Sequence, residues 1–158
     1  MKRLLLVAVL LAVGLTGCAA QVNEPCLSWV DLSDPADAAE AADLVIIGEE
    51  IGPDGTESYF GTPGIATVHR VHVDQVLKGT LDDQEIRVLS VPESACGTGP
   101  VDRYPNGDPL DVSGPAEYFL TDDEGQWRTQ TPSAGVMMIP ADGVLPWDPT
   151  GPTPSPAP

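Results

Sequence analysis

The chain has 158 residues, with 7 Lys and Arg against 24 Asp and Glu, a formal net charge of −17. Nucleic-acid binding draws its affinity from clustered cations that release counterions from phosphate, so this balance excludes a nucleic acid as partner. It also disfavours close contact of the domain with an anionic membrane face. The length serves one domain and is short for two.

Lys2 and Arg3 form a short positive start, and residues 4–13 (LLLVAVLLAV) are an uncharged apolar run. Ten residues match the core of an export signal, whereas crossing a bilayer takes roughly 20. The run ends in Leu15-Thr16-Gly17-Cys18. Leucine, two small residues and cysteine are the lipobox pattern, and the chain resembles a small bacterial lipoprotein. That resemblance implies a signal peptide over 1–17, cleavage before Cys18, and lipid (diacylglycerol through a thioether, with palmitate) on Cys18. It implies anchorage at the extracytoplasmic face of the cell membrane. An ordinary secretory signal followed by an accidental cysteine is the alternative. Removing Lys2 and Arg3 from the seven basic residues leaves five against 24 acids, so the mature chain carries −19. Abundant Ala, Gly, Asp and Pro, with little Lys, Asn or Ile, points to a high-GC, actinobacterial source.

Residues 18–25 read as a lipidated tether, 26–148 as one β domain and 149–158 as a disordered, Pro-rich tail. Ser33-Asp34-Pro35 predicts a helix start, with a capping side chain ahead of proline, and Ala36 to Ala42 continue it. One short helix is expected, about 35–42. Leu44 to Glu50 predicts a strand buried on both faces at its start. Residues 51–64 are rich in Gly, Pro, Asp and Ser and predict a turn or long hairpin loop. Ile65 to Leu77 predicts the second strand. Its alternation slips between Val73 and Val76, which predicts a bulge or bend. Gln84 to Val91 sets Ile86, Val88 and Ser90 on one face and Arg87, Leu89 and Val91 on the other. Residues 92–109 read as turn. Glu117 to Thr121 predicts a fourth strand, Asp122 to Gly125 a turn, and Gln126 to Gln130 its hairpin partner. Gly135 to Pro140 and Val144-Leu145 flank Ala141-Asp142-Gly143, a further hairpin signal. Five or six short strands with one short N-terminal helix predict a small closed or partly open barrel or sandwich.

The order of features resembles the netrin-like (NTR) domain, the OB-fold barrel of the tissue inhibitors of metalloproteinases. The residues that carry it are Cys26, then Ala42-Asp43-Leu44-Val45-Ile46-Ile47-Gly48, Val76-Leu77-Lys78-Gly79, Ile86 and Val88, Ala95-Cys96-Gly97, and Glu117-Tyr118-Phe119-Leu120. They span roughly residues 26–121. The resemblance implies an OB-like, mainly β barrel of five to six strands and a Cys26–Cys96 disulfide. The inhibitors chelate the protease zinc through the amino group of an N-terminal cysteine. Here Cys26 lies inside the chain and its nitrogen is an amide, so that chemistry does not carry over.

The cysteines also bear on the domain directly. With Cys18 lipidated, Cys26 and Cys96 remain, and in an oxidising space two such residues most often pair. A reactive thiol is the alternative, although neither has a nearby His or a CxxC partner to lower its pKa. His69 and His72 stand three apart on a strand, on opposite faces, and no third ligand completes a zinc set. Asp31, Ser33 and Asp37 have EF-hand spacing, but Ala36 and Ala42 stand where glycine and glutamate are needed. Asp122-Asp123-Glu124 reads as a solvated turn before it reads as a calcium site. No Gly-x-Ser-x-Gly, P-loop or dinucleotide fingerprint occurs, so no cofactor and no catalytic set are expected. A paired-carboxylate hydrolase needs more cleft than so small a barrel offers.

Trp29, Tyr59, Phe60, Tyr104, Trp127 and Trp147 fall in or near loops and strand ends. They read as edge-of-core packing or, for the first five, as a contact surface for an unknown protein or glycan. The expected function is therefore a lipid-anchored, non-enzymatic binding or structural module. The alternatives are a protease inhibitor or modulator of the inhibitor fold and, less favoured, a small surface hydrolase. Mass spectrometry of unreduced peptides is expected to find Cys26 bonded to Cys96. The 70-residue spacing makes that bridge worth about 4 kcal/mol, so reduction should lower the unfolding midpoint visibly.

Overall fold

A computed structural model describes residues 28–59, 62–93 and 103–151. Residues 1–27, 60–61, 94–102 and 152–158, with all three cysteines among them, lie outside that set, as do the expectations placed on them. The helix α1 runs Pro35–Ala41 and the strands are β1 Leu44–Tyr59, β2 Thr62–Lys78, β3 Glu85–Leu89, β4 Ala116–Asp123, β5 Gln126–Thr129 and β6 Val136–Met138. Asp34 caps α1, its carboxylate accepting from the Ala36 N–H at 2.8 Å, with Pro35 at the first turn. Such a cap contributes about 1 kcal/mol.

The strands close a ring. β1 pairs with β2, β2 with β3, β3 with β5, β5 with β4, and β4 returns to β1. All these pairs are antiparallel except β3–β5, which is parallel through Val88 to Trp127 and Leu89 to Arg128. This is a five-stranded OB-type barrel with one short helix before it. β4 gives one edge to β1, Leu44 facing Leu120 through Gly48 facing Ala116. Its other edge is shared by β5, opposite residues 120–123, and β6, opposite 116–118. β5 and β6 are thus one interrupted strand. The interruption is a small turn in which Thr131 Oγ1 accepts from the Ser133 and Ala134 N–H groups.

Two apolar layers follow from the pleat of β1 and β4. Leu44 and Ile46 point into the barrel with Val71, Val73, Ile86, Val88, Leu110, Tyr118 and Leu120. Val45 and Phe119 point out, where Leu32, Ala38, Ala39, Ala42 and Trp147 cover them. Both faces of the β1–β4 pair are therefore buried, as the unbroken run from Leu44 to Ile47 predicts. Lys78 ties the outer layer to the barrel. Its Nζ donates to the carbonyls of Ala39 at 2.7 Å, Glu40 at 3.2 Å and Ala42 at 2.6 Å, which satisfies the open end of α1. Gln130 Nε2 adds a buried bond to the Ala38 carbonyl, 2.9 Å.

The slip expected between Val73 and Val76 is a bulge: Ile47 faces Gln75 and Gly48 faces Val73, leaving Asp74 over. Two expectations need correction. Residues 51–59 and 62–64, the described part of that stretch, are not a loop: β1 and β2 run on through them as a bulged two-stranded arm, with further shifts between Glu50 and Gly52 and between Pro53 and Thr56. Gly, Pro and Asp here serve the bulges, and the residues nearest the arm's tip keep the ladder, Tyr59 facing Thr62. The second correction concerns residues 144–145, which form no strand. A turn does close at Gly143, its N–H bonding the Pro140 carbonyl at 2.9 Å. Beyond it the chain becomes a strap across the outer layer, because Pro146 and Pro149 remove the donors a ladder needs. Residues 149–151, expected to begin the disordered tail, close a turn on Asp148.

Gly48 is the tightest point. A Cβ there would fall on the carbonyl oxygen of His72, and Val71 Cγ1 stands 3.3 Å away. The obstacle is backbone and cannot rotate aside. Gly48→Ala is expected to cost about 3 kcal/mol or more and to lower Tm by roughly 10 °C, read by calorimetry.

Candidate functional site

Alternation along β2 and β3 decides which side chains reach which surface. Val71 and Val73 face the barrel interior, and so does His69, two residues earlier. His69 is 4% exposed. Its Nδ1 lies 2.9 Å from Glu50 Oε1 and its Nε2 3.2 Å from Asp108 Oδ2. Burial pushes the imidazole pKa down, but hydrogen bonds and charge from Asp108 and Glu50 outweigh it, and the net direction is up. Asp108 Oδ1 accepts from Ser90 Oγ at 2.5 Å and from the Leu110 N–H at 3.0 Å. The His69, Ser90 and Leu110 bonds hold the Asp108 carboxyl below its ordinary value against its own burial.

This group contains Ser, Asp and His but not in the order that makes a nucleophile. Asp108 sits between the other two, so His69 has no contact to Ser90 Oγ through which to take its proton. Ser90 is 0% exposed. The group ties β1, β2 and the residue after β3 to the 103–112 segment, whose Leu110 lies in the core. Tyr104 helps, its hydroxyl donating to the Ser90 carbonyl at 2.8 Å and accepting from the Thr67 N–H at 3.0 Å. His72 lies on the opposite face, exposed, 3.6 Å from Asp74. No group of three His, Cys, Asp or Glu suited to a metal occurs among the described residues.

The outward face of the arm, β3 and β5 carries a different arrangement. Arg87 reaches across β2 to Asp54 at 2.7 Å and Glu57 at 2.8 Å. Glu57 also accepts from Gln126 Nε2 at 2.7 Å. One carboxylate thus holds the end of the arm against β3 and β5. Between the end of the arm and the β4–β5 turn lies a cleft of about 200 Å³, lined by Ser58, Tyr59, Leu89, Asp123, Glu124, Gln126 and Arg128. The turn is the two residues Glu124 and Gly125, both at positive φ (55° and 90°), as tight hairpins demand. Asp122 Oδ1 accepts from the Gly125 N–H at 2.7 Å and locks it. Arg128 Nε stands 3.3 Å from Asp123 Oδ2, yet without hydrogen-bond geometry to any acceptor among the described residues. Burial, the largest influence, pushes the Tyr59 phenol up.

The five residues read as a contact surface fall as follows. Tyr59 lines the cleft. Tyr59 and Trp29 pack on the satellite cluster of Ala66, Leu89 and Val91. Tyr104 bonds the Ser90 carbonyl and the Thr67 N–H through its hydroxyl. Trp127 packs on the main core. Phe60 lies outside the described residues, as do Cys18, Cys26 and Cys96. Edge-of-core packing thus describes Trp29 and Trp127, Tyr104 is tied to Ser90 and Thr67, and of the four described residues Tyr59 lines this cleft. The acids of the 122–124 turn border that surface. A cleft on so small a barrel arises because the arm outgrows the ring.

Sequence reading missed the His69 network and a buried acid, Glu117. A signal existed for each: His69 is in phase with Val71 and Val73, and Glu117 with Phe119. Glu117 is 0% exposed. Its Oε2 accepts from the Trp147 N–H at 2.9 Å, while Oε1 has no partner among the described residues. Burial pushes its pKa up to about 7, with a smaller push from Asp148.

No protein-family model, no curated protein and no solved structure matches this chain.

A carboxyl whose folded pKa lies above its unfolded value of 4.5 opposes folding once ionised. Stability attributable to Glu117 is therefore highest below pH 4.5 and falls as pH rises from there to about 7. Glu117→Gln keeps an oxygen for Trp147 and removes the charge. Its Tm is expected to exceed that of the wild type at pH 8 and to converge with it near pH 4, measured by thermal melts across that range.

Proposed function

We infer that the protein is a non-enzymatic binding module, held by lipid on Cys18 at the extracytoplasmic face of the cell membrane. The observation that carries this reading is the Leu15-Thr16-Gly17-Cys18 sequence at the end of an uncharged apolar run. One buried acyl chain gives only marginal anchorage, and two or more hold stably, each CH₂ contributing about 0.8 kcal/mol. A mature charge of −19 keeps the barrel off an anionic surface, so the domain stands away on its tether. The arm and the β4–β5 turn form the face it offers to a protein or glycan. In OB barrels the strand 2–3 face and the loops joining strands 1–2 and 4–5 serve binding, and here the cleft lies between the end of β1, Leu89 of β3 and the β4–β5 turn.

A protease-modulating role rests on the netrin-like resemblance and would have to use these loops, since Cys26 has no free amine. A hydrolase would need an activated nucleophile or a carboxylate pair in a cleft. Ser90 is sealed in the barrel, and Asp123 beside the cleft is engaged by Arg128.

The anchor is tested in a bacterial host by labelled-palmitate incorporation and by partition into the detergent phase of Triton X-114. The wild-type chain is expected to label and to partition with detergent. Cys18→Ser should lose the label and move to the aqueous phase or accumulate unprocessed. Unchanged labelling and partition in that variant would overturn the reading.

A further inference from the structure

We propose that the cleft between the β1–β2 arm and the β4–β5 turn is a subsite for one neutral sugar residue of a surface glycan, stacked on Tyr59. The proposal deepens the binding-module reading and rests on it. Its basis is the mixture of groups in one small concavity. Asp123 and Glu124 accept hydrogen bonds only, and the Arg128 guanidinium donates only. A phosphate or carboxylate ligand would meet two acids, and the field of a chain at −17 opposes it. A simple cation would use the acids and leave Arg128 facing a like charge. A wholly apolar ligand would find little beyond the Tyr59 ring, since Leu89 is 2% exposed, and would strip water from three charges.

Vicinal hydroxyls fit both kinds of group at once, since each hydroxyl donates and accepts. One can donate to Asp123 or Glu124 while its neighbour accepts from Arg128. The Arg128 side chain lines the cleft and is 22% exposed, so its guanidinium offers donors to a ligand hydroxyl while Nε stays beside Asp123. The C–H face of a sugar ring suits an aromatic surface, which Tyr59 supplies. The volume of about 200 Å³ is below that of pockets that enclose drug-sized ligands, and suits a single ring of a longer chain.

Two features prepare the cleft. Glu57, bonded to both Arg87 and Gln126, fixes the arm on one side. On the other side, Asp122 locks the turn that presents Asp123 and Glu124. Both walls are therefore set before a ligand arrives, which limits the ordering cost of a weak contact.

The test uses the full-length Cys18→Ser chain, ¹⁵N-labelled, titrated with the methyl glycosides of glucose, galactose, mannose and N-acetylglucosamine. Glucosamine and galacturonic acid serve as cationic and anionic controls. At least one neutral glycoside is expected to bind in the millimolar range, shifting the amides of Leu89, Glu124 and Gly125. Tyr59→Ala and Asp123→Asn should each weaken that binding about tenfold, and Glu124→Gln, on an exposed turn, by a smaller factor, with the remaining spectrum unchanged. If Tyr59→Ala collapses the spectrum, Asp123→Asn and Glu124→Gln decide the matter alone. The proposal is overturned if no neutral glycoside shifts those amides, if glucosamine alone does, or if binding survives both acid substitutions undiminished. Anchorage is read separately through palmitate, so failure here sinks the sugar subsite and leaves the tethered module standing.

Discussion

Closure of the ring by β1 against β4 is the constraint on which the rest depends. β1 must serve two partners that approach from different directions, β2 along its whole length and β4 over its first residues. The bulge at Asp74 and the absence of a side chain at Gly48 let it do so. At Gly48 the His72 carbonyl comes so close that any Cβ would displace backbone. Once β4 is seated, Val45 and Phe119 necessarily face outward as a second apolar surface. That surface requires the helix and the Trp147 strap, and Lys78 requires the helix end it caps. The small helix has too few residues to stand alone. It exists because the barrel gives it an apolar bed and a cation for its open carbonyls.

The polar groups inside this molecule follow from the same geometry. One buried position facing the barrel interior holds a histidine between two carboxylates. An apolar side chain would fill the space as well, but the Glu50, His69, Asp108 and Ser90 set joins β1, β2, the residue after β3 and the 103–112 segment in one hydrogen-bonded unit. Buried networks of this kind favour one arrangement when every member is satisfied. Glu117 is the contrasting case, with one carboxylate oxygen bonded to the strap and the other without a partner among the described residues.

Much of the fold was legible because period and punctuation are local. The Asp34 cap, the doubly buried start of β1, the slip at Val73–Val76 and the alternation in Ile86 to Val91 all read directly from residue order. The arm did not, since Gly52, Pro53 and Gly55 signal turn whether they end a ladder or bulge it. The 144–145 strand was wrongly expected because a turn sequence tells nothing of whether the next residues find a partner edge. The candidate site was legible only in part. Tyr59 and the 122–124 acids stood out as exposed types, but that they face each other depends on Arg87, Glu57 and Gln126, three residues from three strands with no common motif. His69 and Glu117 hide in plain alternation, where a polar residue in phase with apolar ones marks a buried partner to be found.

The parallel seam between β3 and β5 bears on how such a chain comes to be folded at all. Leu89 meets Arg128, and Leu44 meets Leu120, so no closed ring exists until the second half of the polypeptide is present. Contacts of such long reach slow folding relative to local ones. The hairpin of β1 and β2 can form early, but its apolar face stays open until β4 arrives. The ring is thus completed from its C-terminal side: a chain lacking residues 116–129 would hold β1, β2 and β3 as an open three-stranded sheet.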